Sequence, residues 1–418
     1  MSSTRLGYRL LLWLLLPYVV FHLLWRARKQ PEYLQHIPER FGFYRSYPQQ
    51  PLIWLHTVSV GETRAAASLV EALLQAYPDH QLLLTHTTPT GRATSMQLYG
   101  DRVLRVYLPY DYPFAVRRFL RHFRPTVGIL LETEIWPNLI AACKAASVPL
   151  LLLNARLSEK SARRYARHAD LSRAALQDLT LVAAQTEADA ARLRALGATD
   201  PTVMGNLKFD FTPPATQIEV GAHLRKLCGD RFILLLASTR EGEEALLLDA
   251  LHDATLPNLL CVLVPRHPQR FDEVAELIQQ KGFRFQRRSD NAPVAADTEI
   301  LLGDSMGEMF AYYAACDLAF IGGSLLPFGS QNLIEAAAVG KPILIGQHTY
   351  NFAQAVEQAL ACGAAHQIGS AEELIRQVGR LAADPATRST MGQAGLRFVA
   401  ENRGATQRAL TCIQSIVK

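Results

Sequence analysis

The stretch Leu52-Ile-Trp-Leu-His-Thr-Val-Ser-Val-Gly-Glu62 turns an apolar run into a helix and sets a carboxylate at the junction. Leu52–Val60 reads as a buried strand, Gly61 as a tight turn and Thr63–Ala76 as a helix rich in alanine and leucine. In open α/β sheets the carboxyl ends of the strands face the ligand crevice. Glu62 is therefore expected to point into a cleft, beside a helix N-terminus whose dipole favours its ionised form. A carboxylate held there can act as a general base. The other reading is a first-turn Glu that only complements the dipole.

Outward from this point, short apolar runs alternate with helical patterns. The first series is Leu52–Val60, Gln81–Thr87, Val103–Leu108, Thr126–Leu131, Pro149–Ala155, Leu181–Gln185 and Thr202–Met204. Thr63–Ala76, Pro113–His122 and Asn138–Ala146 lie between them with helical periodicity, the βα alternation of a doubly wound parallel sheet. Phe211-Thr-Pro-Pro-Ala-Thr216 breaks the pattern and reads as a linker. A second series follows: Phe232–Ala237, Leu259–Val264, Ile300–Leu302, Leu318–Ile321 and Pro342–Ile345. The fold class predicted is α/β, with two Rossmann-like domains facing a cleft. Residues 1–30 form a membrane anchor and its basic flank, 31–212 the first domain and 213–418 the second, whose last helix is free to pack back on the first.

A chain of 418 residues exceeds one core of ordinary size, and its 49% hydrophobic content is ample for two. The net charge of +5 suits an anionic partner such as a phosphate-bearing ligand, a nucleotide or an acidic membrane surface. Nucleic acid is set aside, because no basic run is interleaved with aromatic residues. Cysteines 143, 228, 261, 316, 362 and 412 form neither a C-x-x-C pair nor a Cys/His cluster. They read as reduced core residues of a cytosolic compartment. Leu10–Trp25 contains one strongly polar residue, His22, and is flanked by Arg5 and Arg9 before and Arg26, Arg28 and Lys29 after. As a helix this run is about 24 Å long, short of a ~30 Å hydrocarbon core. No small-residue cleavage site follows it. It reads as a single uncleaved N-terminal anchor, spanning or lying in the inner leaflet, with the bulk of the chain on the cytoplasmic side.

Three segments of the second half sit at strand–helix junctions. Pro265 ends an apolar run and Arg266 follows, placed to fork onto a phosphate or, equally, to pair with a surface acid. Asp304-Ser-Met-Gly-Glu-Met309 opens a helix whose amides can meet an anion, while Asp304 or Ser305 can equally be an ordinary N-cap. Gly322-Gly-Ser324 leads to Asn332–Glu335 at the head of an alanine-rich helix. The glycines admit close backbone approach, and Glu335 can bind ribose hydroxyls. G-x-G-x-x-G spacing, a Walker A loop and a D-x-D pair are all missing. A donor with a single phosphate, and no metal or other cofactor, fits that pattern.

Taken together these stretches resemble the 3-deoxy-D-manno-octulosonic acid (Kdo) transferases of lipopolysaccharide synthesis. The resemblance runs through the N-terminal anchor, His56–Glu62, Thr88–Gly91, Tyr107–Asp111, Glu132-Thr-Glu-Ile-Trp-Pro-Asn138, Asn154–Leu157 and Leu207-Lys-Phe-Asp210. It continues through Pro265–Pro268, Met306–Glu308 and Asn332–Ala338. It implies the two-domain GT-B fold and transfer of Kdo from CMP-Kdo to a lipid A precursor at the inner membrane. By the same resemblance Glu62 is the catalytic base, and Glu132 and Lys208 stabilise the transition state. Pro265, Arg266, Met306, Gly307, Glu308, Asn332, Leu333, Ile334 and Glu335 bind CMP. Read from the residues alone, Glu132 is a cap and Lys208 a linker lysine between the domains; Glu134 is close enough to exchange roles with Glu132. The chain departs from the family at Arg240 and Gln331, where His is usual. Arg117, Arg118, Arg121, His122 and Arg124 cluster with Phe114, Phe119 and Phe123 on one amphipathic helix, and Arg163, Arg164, Arg167 and His168 form a second cluster. Both fit acceptor phosphates or an anionic membrane surface, or are simply solvated helix faces. Two rivals remain: a GT-B enzyme using a UDP-sugar with a lipid acceptor, and a membrane-tethered nucleotide-binding protein without turnover.

Overall fold

The computed structural model describes residues 3–28, 30–45, 47–254 and 256–417; Lys29 of the basic flank lies outside them. Near-continuous Leu, Ile and Val runs suit strands buried on both faces, and such runs form the central strands of two parallel sheets. The first sheet holds β1 (Leu52–His56), β2 (Gln81–His86), β3 (Leu104–Tyr107), β4 (Val127–Leu131), β5 (Leu150–Ala155), β6 (Leu181–Ala184) and β7 (Thr202–Val203). The second holds β8 (Phe232–Thr239), β9 (Leu259–Pro265), β10 (Phe285–Arg287), β11 (Ile300–Leu302), β12 (Leu318–Ile321), β13 (Ile343–Ile345) and β14 (Ala365–Gln367). Their orders are β3-β2-β1-β4-β5-β6-β7 and β10-β11-β9-β8-β12-β13-β14. Strand order therefore reverses between β1 and β4 in one sheet and between β8 and β12 in the other. Those are the points where a doubly wound sheet opens a ligand crevice.

The structure departs from the sequence reading in places with a clear cause. β10 and β14 pass unnoticed in the sequence because they are three-residue edge strands with polar, partly exposed side chains. β1 ends at His56, well short of Val60, and Gly61 lies inside the helix α2 (Val60–Ala65) instead of forming a turn. The turn is made by Thr57–Ser59, with Ser59 as N-cap. A second helix, α3 (Ala67–Ala76), follows after a break at Ala66.

The chain divides into two compact units, residues 1–210 with 403–418, and residues 211–402. Within the first unit the closing helix Ala405–Gln414 buries Ala405, Ala409 and Ile413 in the same cluster as Leu69 and Leu73 of α3. Of the six free cysteines, four are buried, Cys412 is partly so and Cys362 is exposed.

At the N-terminus α1 (Ser3–Ala27) is longer than its apolar run, 25 residues or about 37 Å, because the basic flanks also wind into the helix. One side of its first half is fastened to the first unit. Arg5 pairs with Asp178 (2.5 Å), Tyr8 donates to Asp111 Oδ2 (3.0 Å) and Arg9 to Asn138 Oδ1 (2.9 Å). The Tyr112 hydroxyl donates to the Leu12 carbonyl (2.8 Å). The other side leaves Leu14, Tyr18 and Phe21 largely exposed (79%, 61% and 67%).

Packing at the centre of the first sheet explains a glycine. Trp54 of β1 is fully buried, meets Phe119 edge-on at 4.9 Å and donates to Thr85 Oγ1 (2.8 Å). A Cβ at Gly128 on neighbouring β4 would lie 2.6 Å from the Trp54 ring and 2.7 Å from Leu150. Gly128→Ala is expected to destabilise the first unit by about 1–3 kcal/mol, the usual cost of overpacking, seen as a lower urea midpoint at unchanged slope.

Candidate active site

Glu62 and Glu132 follow β1 and β4, so both stand at the point where the first sheet reverses its order. The chain reaches Glu62 through a braced turn. Thr57 N–H donates to the Thr85 carbonyl (3.0 Å), and the Thr88 hydroxyl donates to the Val58 carbonyl (3.0 Å). The Glu62 carboxylate then folds back on that turn, accepting from Val58 N–H (2.7 Å) and from the Ser59 hydroxyl (3.3 Å). Glu132 is held with φ at +59°, a backbone conformation costly for a side chain of this kind, and its N–H donates to the Leu153 carbonyl (3.2 Å). Strain of this sort costs about 1–3 kcal/mol and is typical of sites whose geometry is over-determined.

The sequence reading expected the helix dipole to keep Glu62 ionised. The balance falls the other way. Burial, then the negative charge of Glu132 and to a smaller extent Glu134, push the Glu62 carboxyl up to about 8 against the opposing pull of the Val58 and Ser59 hydrogen bonds. Glu134 is raised as well, chiefly by burial, although Trp136 Nε1–H donates to it at 2.6 Å. His56, wholly buried, lies with Nε2 3.9 Å from Glu134 Oε2. Burial holds its imidazole down at about 3, so it is neutral.

Lys208 is no linker residue. It sits in the 3₁₀ turn Leu207–Phe209 of the first unit, with Nζ 3.5 Å from Glu132 Oε1 and both side chains about one-fifth exposed. A polar relay fixes this turn. Buried Asn154, at φ +53° in β5, accepts from Leu207 N–H (3.1 Å), and Gln185 donates to the Asn154 carbonyl (3.1 Å). Asn206 donates to Gln185 (3.1 Å) and caps Lys208 N–H (3.0 Å). Two residues on, the Asp210 carboxylate accepts from Gly404 N–H (2.7 Å) and from Thr406 N–H, which anchors the turn to the closing helix. The relay goes unread in the sequence. Its available signal was Asn154, a polar residue where an apolar strand should continue.

In the second unit the three candidate segments also stand at strand ends. Arg266 follows β9; its N–H donates to the Thr239 carbonyl (3.0 Å) and its Nε to Gln331 Oε1 (3.0 Å). That contact brings Pro265–Arg266 to the Asn332–Glu335 segment. Asn332 donates to Glu335 (3.0 Å) and caps Ile334 N–H (3.0 Å). Leu333 and Ile334 have fully buried side chains, so they can offer a ligand only backbone. Beyond β11, Met306 is exposed, Gly307 has φ +80° and Glu308 accepts from the Ser305 hydroxyl (2.6 Å) and pairs with Arg288 (3.3 Å). Neither Asp304 nor Ser305 caps the helix Met309–Ala315; Glu308 occupies that position, and Asp304 is engaged by Ser289.

Two parallel, doubly wound sheets, with carboxylates on one crest and arginine- and glycine-bearing loops on the other, define the GT-B fold. The HepE protein of Anabaena in complex with UDP shares it, with a TM-score of 0.59, 16% identity and 87% of this chain and 100% of that one covered. A glycosyltransferase from Rickettsia africae shares it at a TM-score of 0.60, 15% identity and 88% and 99% coverage. At the level of sequence the chain matches the family described as 3-deoxy-D-manno-octulosonic-acid transferase (kdotransferase) over residues 35–211 and the glycosyl transferases group 1 over residues 243–398. It is 44% identical over 391 residues to the 3-deoxy-D-manno-octulosonic acid transferase of Bordetella pertussis, spanning 90% of this chain and 91% of that one. The Haemophilus influenzae transferase is 38% identical over 395 residues, 92% of each chain. The chain belongs to the Kdo transferase family and is a Kdo-transferring glycosyltransferase.

The raised Glu62 carboxyl has a signature in stability. Between pH 4.5 and about 8 the unfolded chain ionises Glu62 while the native chain keeps the proton, so its contribution to stability falls as pH rises through that window. Glu62→Gln removes this loss. Its melting temperature is expected to exceed the wild type at pH 8 and to match it at pH 4, by scanning calorimetry.

Proposed function

We propose that the enzyme transfers Kdo from CMP-Kdo to a lipid A precursor with inversion at the anomeric carbon, and that Glu62 is the general base. The observation that carries this reading is a half-buried carboxyl at a sheet switch point, raised to about 8 first by burial and then by a second carboxylate. A base is most effective when its pKa lies near the working pH. Glu62 takes the proton of an acceptor hydroxyl, the hydroxyl oxygen bonds to the anomeric carbon, and the bond from that carbon to the CMP phosphate oxygen breaks with its electron pair on the phosphate. Lys208, oriented by Glu132, offsets the negative charge developing there. In this reading Pro265, Arg266, Met306, Gly307, Glu308 and Asn332–Glu335 receive the CMP portion, with Leu333 and Ile334 contributing backbone alone. As in the sequence reading, no metal is required.

For the membrane, the reading supported best is an in-plane anchor. Thr4–Ala27 is long and apolar enough to cross a bilayer, with a mean hydropathy of 1.7. Yet Arg5, Tyr8, Arg9 and Leu12 are occupied by the first unit, which favours α1 lying along the inner leaflet on its exposed Leu14, Tyr18 and Phe21 side. The arginines of the helix Pro113–Phe123 and the adjoining Arg124 then face anionic headgroups on the cytoplasmic side, and the acceptor is a lipid of that leaflet.

The test is transfer from CMP-Kdo to purified lipid A precursor, read by mass, with EDTA present. Wild type should turn over; Glu62→Gln should lose about 10²–10⁴-fold, the usual worth of a positioned base. A wild type that works only with a UDP-sugar overturns the donor. The wild-type kcat/KM should rise with pH through a limb near 8, and Glu132→Gln should move that limb to lower pH by removing the neighbouring charge. A limb that stays in place in Glu132→Gln rules out the coupling.

A further inference from the structure

The second sheet has its own switch point, between β8 and β12, and an unassigned cation stands on it. Arg240 is the residue after β8, and Gly322–Ser324 follow β12. The end of β8 is irregular: the register with β9 shifts between Ala237 and Thr239, and Ser238 has φ +57°. This bulge re-aims the residue that follows.

Arg240 is fixed at both ends. Its N–H donates to Glu243 Oε2 (2.9 Å), and its guanidinium stacks over the Phe328 ring at 4.4 Å. Glu243 is fully buried and does not neutralise that guanidinium. Its carboxylate is taken up by backbone amides, accepting also from Gly323 N–H (2.6 Å) and Leu325 N–H (2.9 Å). One carboxylate does reach the Arg240 head. Glu241 Oε2 lies 3.0 Å from Nε, but Glu241 is half-exposed at the surface, and such a pair is weak. Among the described residues the terminal Nη amines of Arg240 have no hydrogen-bond partner.

Beside the stem of Arg240 the backbone of Gly323 packs closely. Gly323 has φ +68°, and a Cβ there would come 3.5 Å from the Arg240 side chain and 3.2 Å from Gln331 Nε2. Gln331 in turn holds Arg266 (3.0 Å). The cations gather here: burial, then the fields of Arg240 and Arg266, hold the neighbouring His267 below its ordinary value. Gln331 thus links Arg266, through Nε, to the Gly323 turn beside Arg240, which is itself braced on an aromatic face.

We infer that Arg240 binds the carboxylate of the donor's sugar acid and is a specificity-determining residue for anionic nucleotide sugars. The inference rests on the donor reading above. An octulosonic acid carries its carboxylate on the anomeric carbon, so its CMP derivative presents two anions a few bonds apart, the phosphate and the sugar carboxylate. Arg266 serves the first and Arg240 the second. A planar fork meets a carboxylate with two parallel hydrogen bonds, which lysine cannot reproduce. A neutral nucleotide sugar offers the terminal amines of Arg240 no carboxylate.

The test uses the full-length enzyme and the transfer assay, with CMP as competitive inhibitor. Arg240→Ala is expected to raise the KM for CMP-Kdo at least tenfold while the CMP inhibition constant stays within twofold of wild type. Arg240→Lys should recover part of the loss, and a wild-type melting temperature of the Ala variant guards against a folding defect. An unchanged KM in Arg240→Ala, or a CMP constant that rises in parallel with it, overturns the assignment and leaves the donor reading standing. A wild type that does not use CMP-Kdo overturns the donor reading and the assignment with it.

Discussion

The proximity of Glu62 and Glu132 at the β1/β4 reversal is the constraint on which the rest of the site turns. Two carboxylates near each other in a partly buried place cannot both ionise cheaply. The protein resolves the conflict asymmetrically. Glu132 has a lysine within 3.5 Å, whereas Glu62 has only a backbone amide and a serine hydroxyl. A group that holds its proton until about pH 8 results, raised by burial and further by the charge beside it. Removing Lys208 would therefore disturb more than one role, since the charge of Glu132 would press harder on its neighbour.

Lys208 can balance Glu132 only because its turn is held by residues remote in sequence. Asn154, Gln185 and Asn206 hand hydrogen bonds from β5 to the turn, and Asp210 fastens it to Gly404 and Thr406. Linked hydrogen bonds of this kind rigidify the turn they hold. The second unit uses the same device with one residue: Glu243, buried among the amides of Arg240, Gly323 and Leu325, shapes the loop after β12.

Periodicity made the central strands and most helices legible, because a Leu/Ile/Val run between turn residues has few other readings. It missed β10 and β14, where edge strands carry no such run, and it misplaced the turn at Gly61, since a Ser59 cap looks the same in sequence wherever the strand ends. Glu62 was legible by position, and its environment was not. The dipole is a local feature, whereas the charge of Glu132 arrives from a strand seventy positions along the chain. Glu132 and Lys208 were named only through family resemblance, because no spacing in the sequence reveals that β4 lies beside β1 or that a turn after β7 brings Lys208 to Glu132. The clustering of Arg240, Gln331 and Arg266 around Gly323 was invisible for the same reason: these residues come from three different strand ends.

The first unit is discontinuous, closed by residues 403–418. A ribosome makes this chain from α1 onward, so the first sheet emerges with the α3 face that buries Leu69 and Leu73 still lacking its cover. Synthesis of residues 211–402 intervenes, about ten to forty seconds at ordinary elongation rates. During that interval an apolar face of α3 and the exposed apolar side of α1 belong to the same unfinished body. The enzyme thus carries a built-in window of vulnerability in biogenesis, in which the nascent chain is at its stickiest.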